Sequence, residues 1–339
     1  MKRHINIPVF IPHYGCPNTC VFCNQRKITG KPCFHENDVR SEIESALSTV
    51  DTSVTHAEIA FFGGSFTAIP RNEMLALLNI SDEYLKSGRV SSIRLSTRPD
   101  AIDEEILDIL REHRVGTVEL GIQSTAPHVL SACKRGHTAA DSEKACRLIK
   151  KYGFVLVGQM MVGLPSSLPV DELNTARDIA DFGADGARIY PTVVLPGTEL
   201  ANMEETRSYT ALTVDTAAKR CADVLEVFVN RGVRVIRIGL CSNEVLAEDA
   251  SPTSYHAAVG ELTRSLLYRK NMEKEIGRTG STEGKIGLFS VPKGRISQAM
   301  GQHRTNAEFL QRKYGFRQIK ISEDGSLPEF MVRLQLTDR

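Results

Sequence analysis

The sequence predicts an α/β fold, a partial TIM-like (β/α) barrel of six or seven units with a small C-terminal α+β extension. Short apolar, β-branched runs alternate with amphipathic stretches of helical period, and the alternation repeats roughly every 30 residues. After about residue 245 the rhythm loosens. Periodicity alone does not separate a TIM-kind barrel, complete or partial, from a doubly wound open sheet. In either architecture, motifs that follow strands gather at the C-terminal edge of the sheet, where such folds build their sites.

The strand-like run at 6–13 leads into a cysteine loop, and residues 38–50 place Val39, Ile43, Ala46 and Leu47 on one helical face. Residues 57–64 are apolar and end in glycines, and 72–88 read as an amphipathic helix closed by a glycine. A strand at 92–100 precedes a helix at 103–113 whose early acids suit a helix N-terminus, and Asp100 is expected to cap it. Strand and helix then alternate: 115–124 with 139–153, 154–165 with 170–184, and 186–197 with roughly 209–231. Residues 233–240 close the series, and a terminal strand is expected at 330–336.

A chain of 339 residues can bury a large core, and 41% hydrophobic with 24% charged residues is a globular composition. The expected division is a core domain over 1–245 and an extension over 246–339, read as substrate-binding. No apolar run approaches the ~18 residues of a membrane span. The first apolar run is short and interrupted by Pro8 and Pro12, so a cytoplasmic location without a signal peptide is expected. The net charge is +1, yet residues 261–320 hold 13 Lys and Arg against 5 Asp and Glu.

Of eight cysteines, Cys16, Cys20 and Cys23 cluster as C-x3-C-x2-C directly after the first strand. Three thiolates on a short loop can bind three irons of a cubane cluster and leave the fourth iron open to a cofactor. A zinc site completed by His13 or His35 is the alternative, although zinc favours paired C-x2–4-C and H-x3–5-H spacings. Cys33, Cys133, Cys146, Cys221 and Cys241 read most simply as buried small hydrophobes.

The loop, with the aromatic Phe22 before its third cysteine, resembles that of the radical S-adenosylmethionine superfamily. IPHYGCPNTCVFCNQRKITG, FFGGSFTAIP, STRPD, VELGIQS, KRGHT, MVGLP and RIYPTVVLPGT resemble, in order, the radical domain of the Elongator catalytic subunit over residues 5 to about 245. That subunit has a longer spacing between its first two cysteines and a C-terminal acetyltransferase domain; the tail here is too short for one. The resemblance implies a 4Fe-4S cluster, S-adenosylmethionine, and an electron donor such as flavodoxin or ferredoxin.

It further implies that Gly63 and Gly64 line the methionine moiety, that Ser96 at the end of the third strand, beside Thr97 and Arg98, supplies a ribose contact, and that Arg135 pairs with the cofactor carboxylate. The alternatives are a tight turn for the glycines and a solvated loop arginine. Gln123, beside Ser124, follows the apolar VELGI and is costly to bury without a hydrogen bond, which points to a role in the cleft. Gln159, Met161 and Tyr190 are candidates for the pocket lining, the last two equally readable as core, and His137 lies in the loop after the fourth strand. His256 reads as structural.

The function implied is reductive cleavage of S-adenosylmethionine to a 5′-deoxyadenosyl radical that abstracts hydrogen. The substrate class implied is RNA, docked by the basic 261–320 region, with a small metabolite such as a porphyrin as the alternative. A non-catalytic iron–sulfur or zinc module that docks RNA or protein is the reading of a different class.

Overall fold

Seven parallel strands follow one another across a single sheet in sequence order, and that order chooses between the two architectures. They are β1 (Arg3–Ile11), β2 (Thr55–Gly63), β3 (Ser92–Thr97), β4 (Val115–Gln123), β5 (Val155–Val162), β6 (Gly186–Pro191) and β7 (Arg234–Ile238). A doubly wound sheet reverses its strand order at a switch point. Without a reversal, right-handed crossovers put the helices on one face, and the sheet curls into a half-barrel. The computed structural model describes residues 3–11, 20–23, 35–51, 55–240 and 254–338.

The covering helices are α1 (Glu36–Ser48), α2 (Arg71–Lys86), α3 (Glu104–Glu112), the short α4 (Pro127–Ala132), α5 (Ala139–Lys151), α6 (Pro169–Asp181), the short α7 (Glu199–Glu205) and α8 (Val214–Asn230). Their ends are chemically specified. Thr138 and Asp141 form a reciprocal capping box on α5. The cap of α3 is Asp103, which accepts from Ile106 N at 2.8 Å, and not Asp100. A 3-10 turn over Pro99–Ala101 takes up Asp100 and delays the helix.

Strand side chains alternate between two faces. Ile59, Phe61, Leu95, Val118, Leu120, Leu156 and Ile189 bury against the helices, whose Met74, Leu77, Leu107, Ile149, Ile179 and Phe228 recur at helical spacing. Burying each such side chain stabilises by about 1.5–3 kcal/mol. The opposite, concave face carries Glu58, Arg94, Glu119, Gln159 and Arg188.

Beyond β7, α9 (Val259–Gly277) packs along α8 and contributes Leu267, Tyr268 and Met272 to the same core as Leu225 and Phe228. A second sheet has the order β10-β8-β9, with β8 (Ile286–Val291), β9 (Gln318–Glu323) and β10 (Arg333–Thr337). The β8–β9 pair is parallel, and α10 (Ile296–Met300) and α11 (Thr305–Tyr314) lie in its crossover. The expected terminal strand at 330–336 starts three residues later, at Arg333. Neither β8 nor β9 was legible in the sequence, because β8 is a short run buried on both faces and β9 is largely exposed and polar.

The local excess of positive charge at 261–320 is partly compensated. Lys270 and Lys274 pair with Glu226 of α8, Arg295 with Glu329 at 3.1 Å and Lys313 with Glu273 at 2.7 Å. Arg269 stacks over Phe309. Glu226 lies in the neighbouring helix and Glu329 just beyond the window, so a count along the sequence overstates the surface field, whereas Glu273 is already among the acids of the window.

Candidate functional site

The described part of the cysteine loop, residues 20–23, sits at the C-terminal edge of the half-barrel and is stitched down from two sides. Val21 N donates to Cys133 O at 3.3 Å, just past α4, while Leu200 N at the start of α7 donates to Val21 O at 2.8 Å. Val21 is buried with Val129, Leu164, Val194 and Leu200, and Phe22 packs against that cluster. A turn with Cys23 N donating to Cys20 O at 3.0 Å sets the two cysteines close together. Cys20 is buried and Cys23 half-buried. Cys16, Cys33, Cys241 and His13 lie outside the described residues.

Arg135 reaches this turn from the loop after α4. Its Nη1 donates to Cys20 Sγ at 3.3 Å, and its Nη2 donates to Gly121 O at 2.6 Å. Its Nε is buried with no partner among the described residues. Gly121 makes this approach possible, since a Cβ there would stand 2.9 Å from Arg135 Nη2 and 3.1 Å from Gln123 Nε2. Arg98 supports the same loop from beneath, donating through Nη2 to Arg135 O at 2.9 Å.

Gln123 ends β4 at φ 67°, where the register with β5 shifts. Its Oε1 is buried without a donor among the described residues. An L residue held in the left-handed region, with an orphaned polar atom, is a feature of sites. Gly63 ends β2 at φ 104°, which glycine alone adopts at low cost, and Gly64 beside it is buried. Ser124 is taken up structurally, accepting from Ala126 N at 3.2 Å.

His137 is buried, with Nε2 donating to Ile122 O at 3.3 Å and Nδ1 bare among the described residues. Burial, then the Arg135 charge, push its pKa down to about 4, so the imidazole is neutral at physiological pH. His256 is exposed and accepts from Ala258 N at 3.0 Å at the start of α9, away from these residues.

Ser96 and Gln159 lie one layer deeper than the loop. Gln159 Nε2 donates to Ser96 Oγ at 3.3 Å and to Glu119 Oε2 at 2.8 Å. Glu119 is fully buried and is gripped by Arg188 at 2.6 and 2.8 Å and by Arg94 at 2.8 Å. Arg94 also binds Glu58, which His4 contacts at 3.1 Å. Burial would raise the Glu119 pKa, but the Arg188 and Arg94 guanidiniums outweigh it and hold the carboxyl below its ordinary value. The sequence reading passed over Glu119, Arg94 and Arg188. Their signal was a charge in the middle of each apolar strand: VELGI, SIRLS and ARIYP.

Met161 and Tyr190 are register neighbours on β5 and β6, and Met161 packs on the apolar cluster under the cysteine loop. Burial pushes the thiols of Cys133 and Cys146 up to about 12 and that of Cys221 higher, so these three stay protonated.

Cys20 and Cys23, the first already receiving a guanidinium hydrogen bond, are thiols of the kind that hold an iron–sulfur cluster, and the third of the motif, Cys16, lies outside the described residues. An α/β half-barrel with a cysteine loop at the C-terminal end of its first strand defines the class. The family description "Radical SAM superfamily" matches residues 10–179, and "Radical_SAM C-terminal domain" matches 184–267. The chain belongs to the radical SAM superfamily, whose members use a 4Fe-4S cluster and S-adenosylmethionine.

An uncharacterized protein of Methanocaldococcus jannaschii is 29% identical over 236 residues, covering 66% of this chain and 72% of that one. The tRNA uridine(34) acetyltransferase of Methanocaldococcus infernus is 35% identical over 118 residues, 34% of this chain and 22% of the relative. The structure of archaeal Elp3 from the same organism, lacking its N-terminus, superposes with a TM-score of 0.64 at 22% identity, over 80% of this chain and 64% of that one. This chain therefore spans under two thirds of both the acetyltransferase and the Elp3 chain. No helix among the described residues is long and apolar enough to cross a membrane.

Proposed function

We propose that this protein is a radical S-adenosylmethionine enzyme acting on RNA, with Cys16, Cys20 and Cys23 as cluster ligands. When bound, the cluster supplies one electron to the sulfonium of S-adenosylmethionine, yielding methionine and a 5′-deoxyadenosyl radical that abstracts hydrogen. The chain's own residues hold and shield that chemistry. Gly63 and Gly64 leave room at the end of β2 for the methionine moiety. Gln123 offers its orphaned Oε1 to a cofactor donor, and Arg135 steadies Cys20. Ser96 and Gln159, tied to Glu119, form the polar floor beneath.

The carrying observation is the guanidinium of Arg135 on Cys20 Sγ at the barrel mouth. RNA as the substrate class is supported by the 35% identity to a tRNA-modifying relative, and residues 246–339 are proposed as the segment that helps to bind it.

The test is anaerobic reconstitution followed by addition of dithionite and S-adenosylmethionine. About four irons per chain and release of 5′-deoxyadenosine are expected, with a nucleoside missing from the tRNA of a deletion strain. Iron binding without cofactor cleavage would point instead to a docking module. Cleavage with an unchanged nucleoside profile would point to a small-molecule substrate.

A further inference from the structure

A cavity of about 1030 Å³ opens on the concave face toward the N-terminal ends of the strands, away from the edge that carries the cysteines. Its walls come from β1, β3, β6 and β7, from α8 and from the extension, and six arginines line it against two carboxylates, Glu261 and Glu329. Two further carboxylates, Glu58 and Glu119, are buried behind it and already bound by Arg94 and Arg188. The mouth is less balanced. Arg264 at 3.4 Å and Arg295 at 3.1 Å share the single carboxylate of Glu329, and Arg234 has no carboxylate partner among the described residues. Glu261 is engaged by Gln298 Nε2 at 3.0 Å.

Gathering guanidiniums in a concave, low-dielectric wall costs electrostatic free energy and focuses positive potential into the cavity. An anion relieves that cost. Guanidinium forks bind phosphoryl oxygens two at a time, and the volume is that of a nucleotide-sized ligand. We propose that this cavity seats a phosphoryl group, supplied by the backbone of the RNA that the enzyme modifies. The phosphoryl chemistry stands on the cavity itself, whereas the RNA source rests on the functional reading above.

The test compares the cluster-loaded full chain with the double variant Arg234→Ser/Arg295→Ser and with the control Arg147→Ser, an exposed arginine of α5 outside the extension. Arg234 is exposed, and the side chains of Arg295 and Arg147 are 37% and 61% exposed, so each variant folds; melting temperature and iron content verify this. The probes are a fluorescent tRNA transcript and inorganic pyrophosphate. We expect pyrophosphate to displace tRNA from the wild type and the double variant to lose at least tenfold in tRNA affinity. The salt slope should be shallower by about 1.4 for two lost contacts at about 0.7 each. The control should match the wild type.

Wild-type tRNA affinity in the double variant overturns the cavity assignment and leaves the RNA reading standing. Arginine-dependent pyrophosphate binding without tRNA binding keeps the cavity, for a free phosphorylated ligand, and overturns the RNA reading. Failure to bind either probe overturns the cavity. Displacement of tRNA by polyglutamate as readily as by pyrophosphate overturns the phosphoryl assignment, because the wall would then be reading charge alone.

Discussion

The guanidinium of Arg135 and the thiol sulfur of Cys20, 115 residues apart in the chain, lie in hydrogen-bond contact at 3.3 Å. The contact needs three features at once: the turn at 20–23, the glycine at 121, and the loop that Arg98 supports. A cationic donor on a cluster ligand stabilises the more negative, reduced state.

Arg135→Ala is therefore expected to lower the midpoint potential of the bound cluster. A tenfold change in the reduced-to-oxidised ratio corresponds to about 60 mV for a one-electron couple. Arg135→Lys, which keeps the charge but not the fork, should fall between. A spectroscopic redox titration measures this. A full cluster at an unchanged potential in Arg135→Ala would mean that the arginine serves only to pack the loop.

Single replacement of Cys16, Cys20 or Cys23 by Ala should abolish or destabilise the cluster, since each loss leaves one iron without a protein ligand. Cys146→Ala and Cys221→Ala should leave iron content unchanged, because both thiols are buried in the apolar core and stay protonated. Iron analysis of the reconstituted variants decides between them. Retention in the first set, with loss in the second, would falsify the ligand assignment.

Glu119→Gln should destabilise the fold by about 3–5 kcal/mol, the cost of breaking a buried charge network by removing one partner. Arg188 and Arg94 would keep buried charges that no longer face a carboxylate at β4. Urea denaturation of the metal-free protein reads the change. A loss under about 1 kcal/mol, the scale of an exposed pair, would show that water reaches this layer.

His137 links stability to pH. Its folded pKa, about 4, lies below the ordinary histidine value of 6.5, so between these values the unfolded chain binds more protons. Its contribution is fully present above pH 6.5 and is lost as the pH falls toward 4, on the order of 3 kcal/mol in all. Melting temperatures of the metal-free protein from pH 7 to 4.5 should fall less steeply in His137→Gln than in the wild type. Equal slopes would remove His137 from the account of acid sensitivity.

The alternation of strand and helix was legible in the sequence because each side chain's face follows from its neighbours two or three residues away. The same locality made C-x3-C-x2-C readable, since a short loop after one strand can gather three thiols without help from the rest of the chain. Helix ends were less secure, as Asp100 shows: a proline-led turn shifted the cap to Asp103. β8 and β9 escaped because a short strand is recognised by the partner it packs against, which lies elsewhere in the chain.

What the tertiary structure decided is non-local. Sequential strand pairing selected the half-barrel over the doubly wound sheet, and strand register assembled Glu58, Arg94, Glu119, Gln159 and Arg188 into one layer. Packing of α9 against α8 set Lys270 and Lys274 on Glu226, so the basic stretch at 261–320 is partly neutralised. Arginines from β3, β6, β7 and the extension, unremarkable in their own segments, instead converge on one cavity. A side chain's electrostatic meaning depends on charges within about a Debye length, roughly 8–10 Å, in space. Only the folded chain fixes which residues those are.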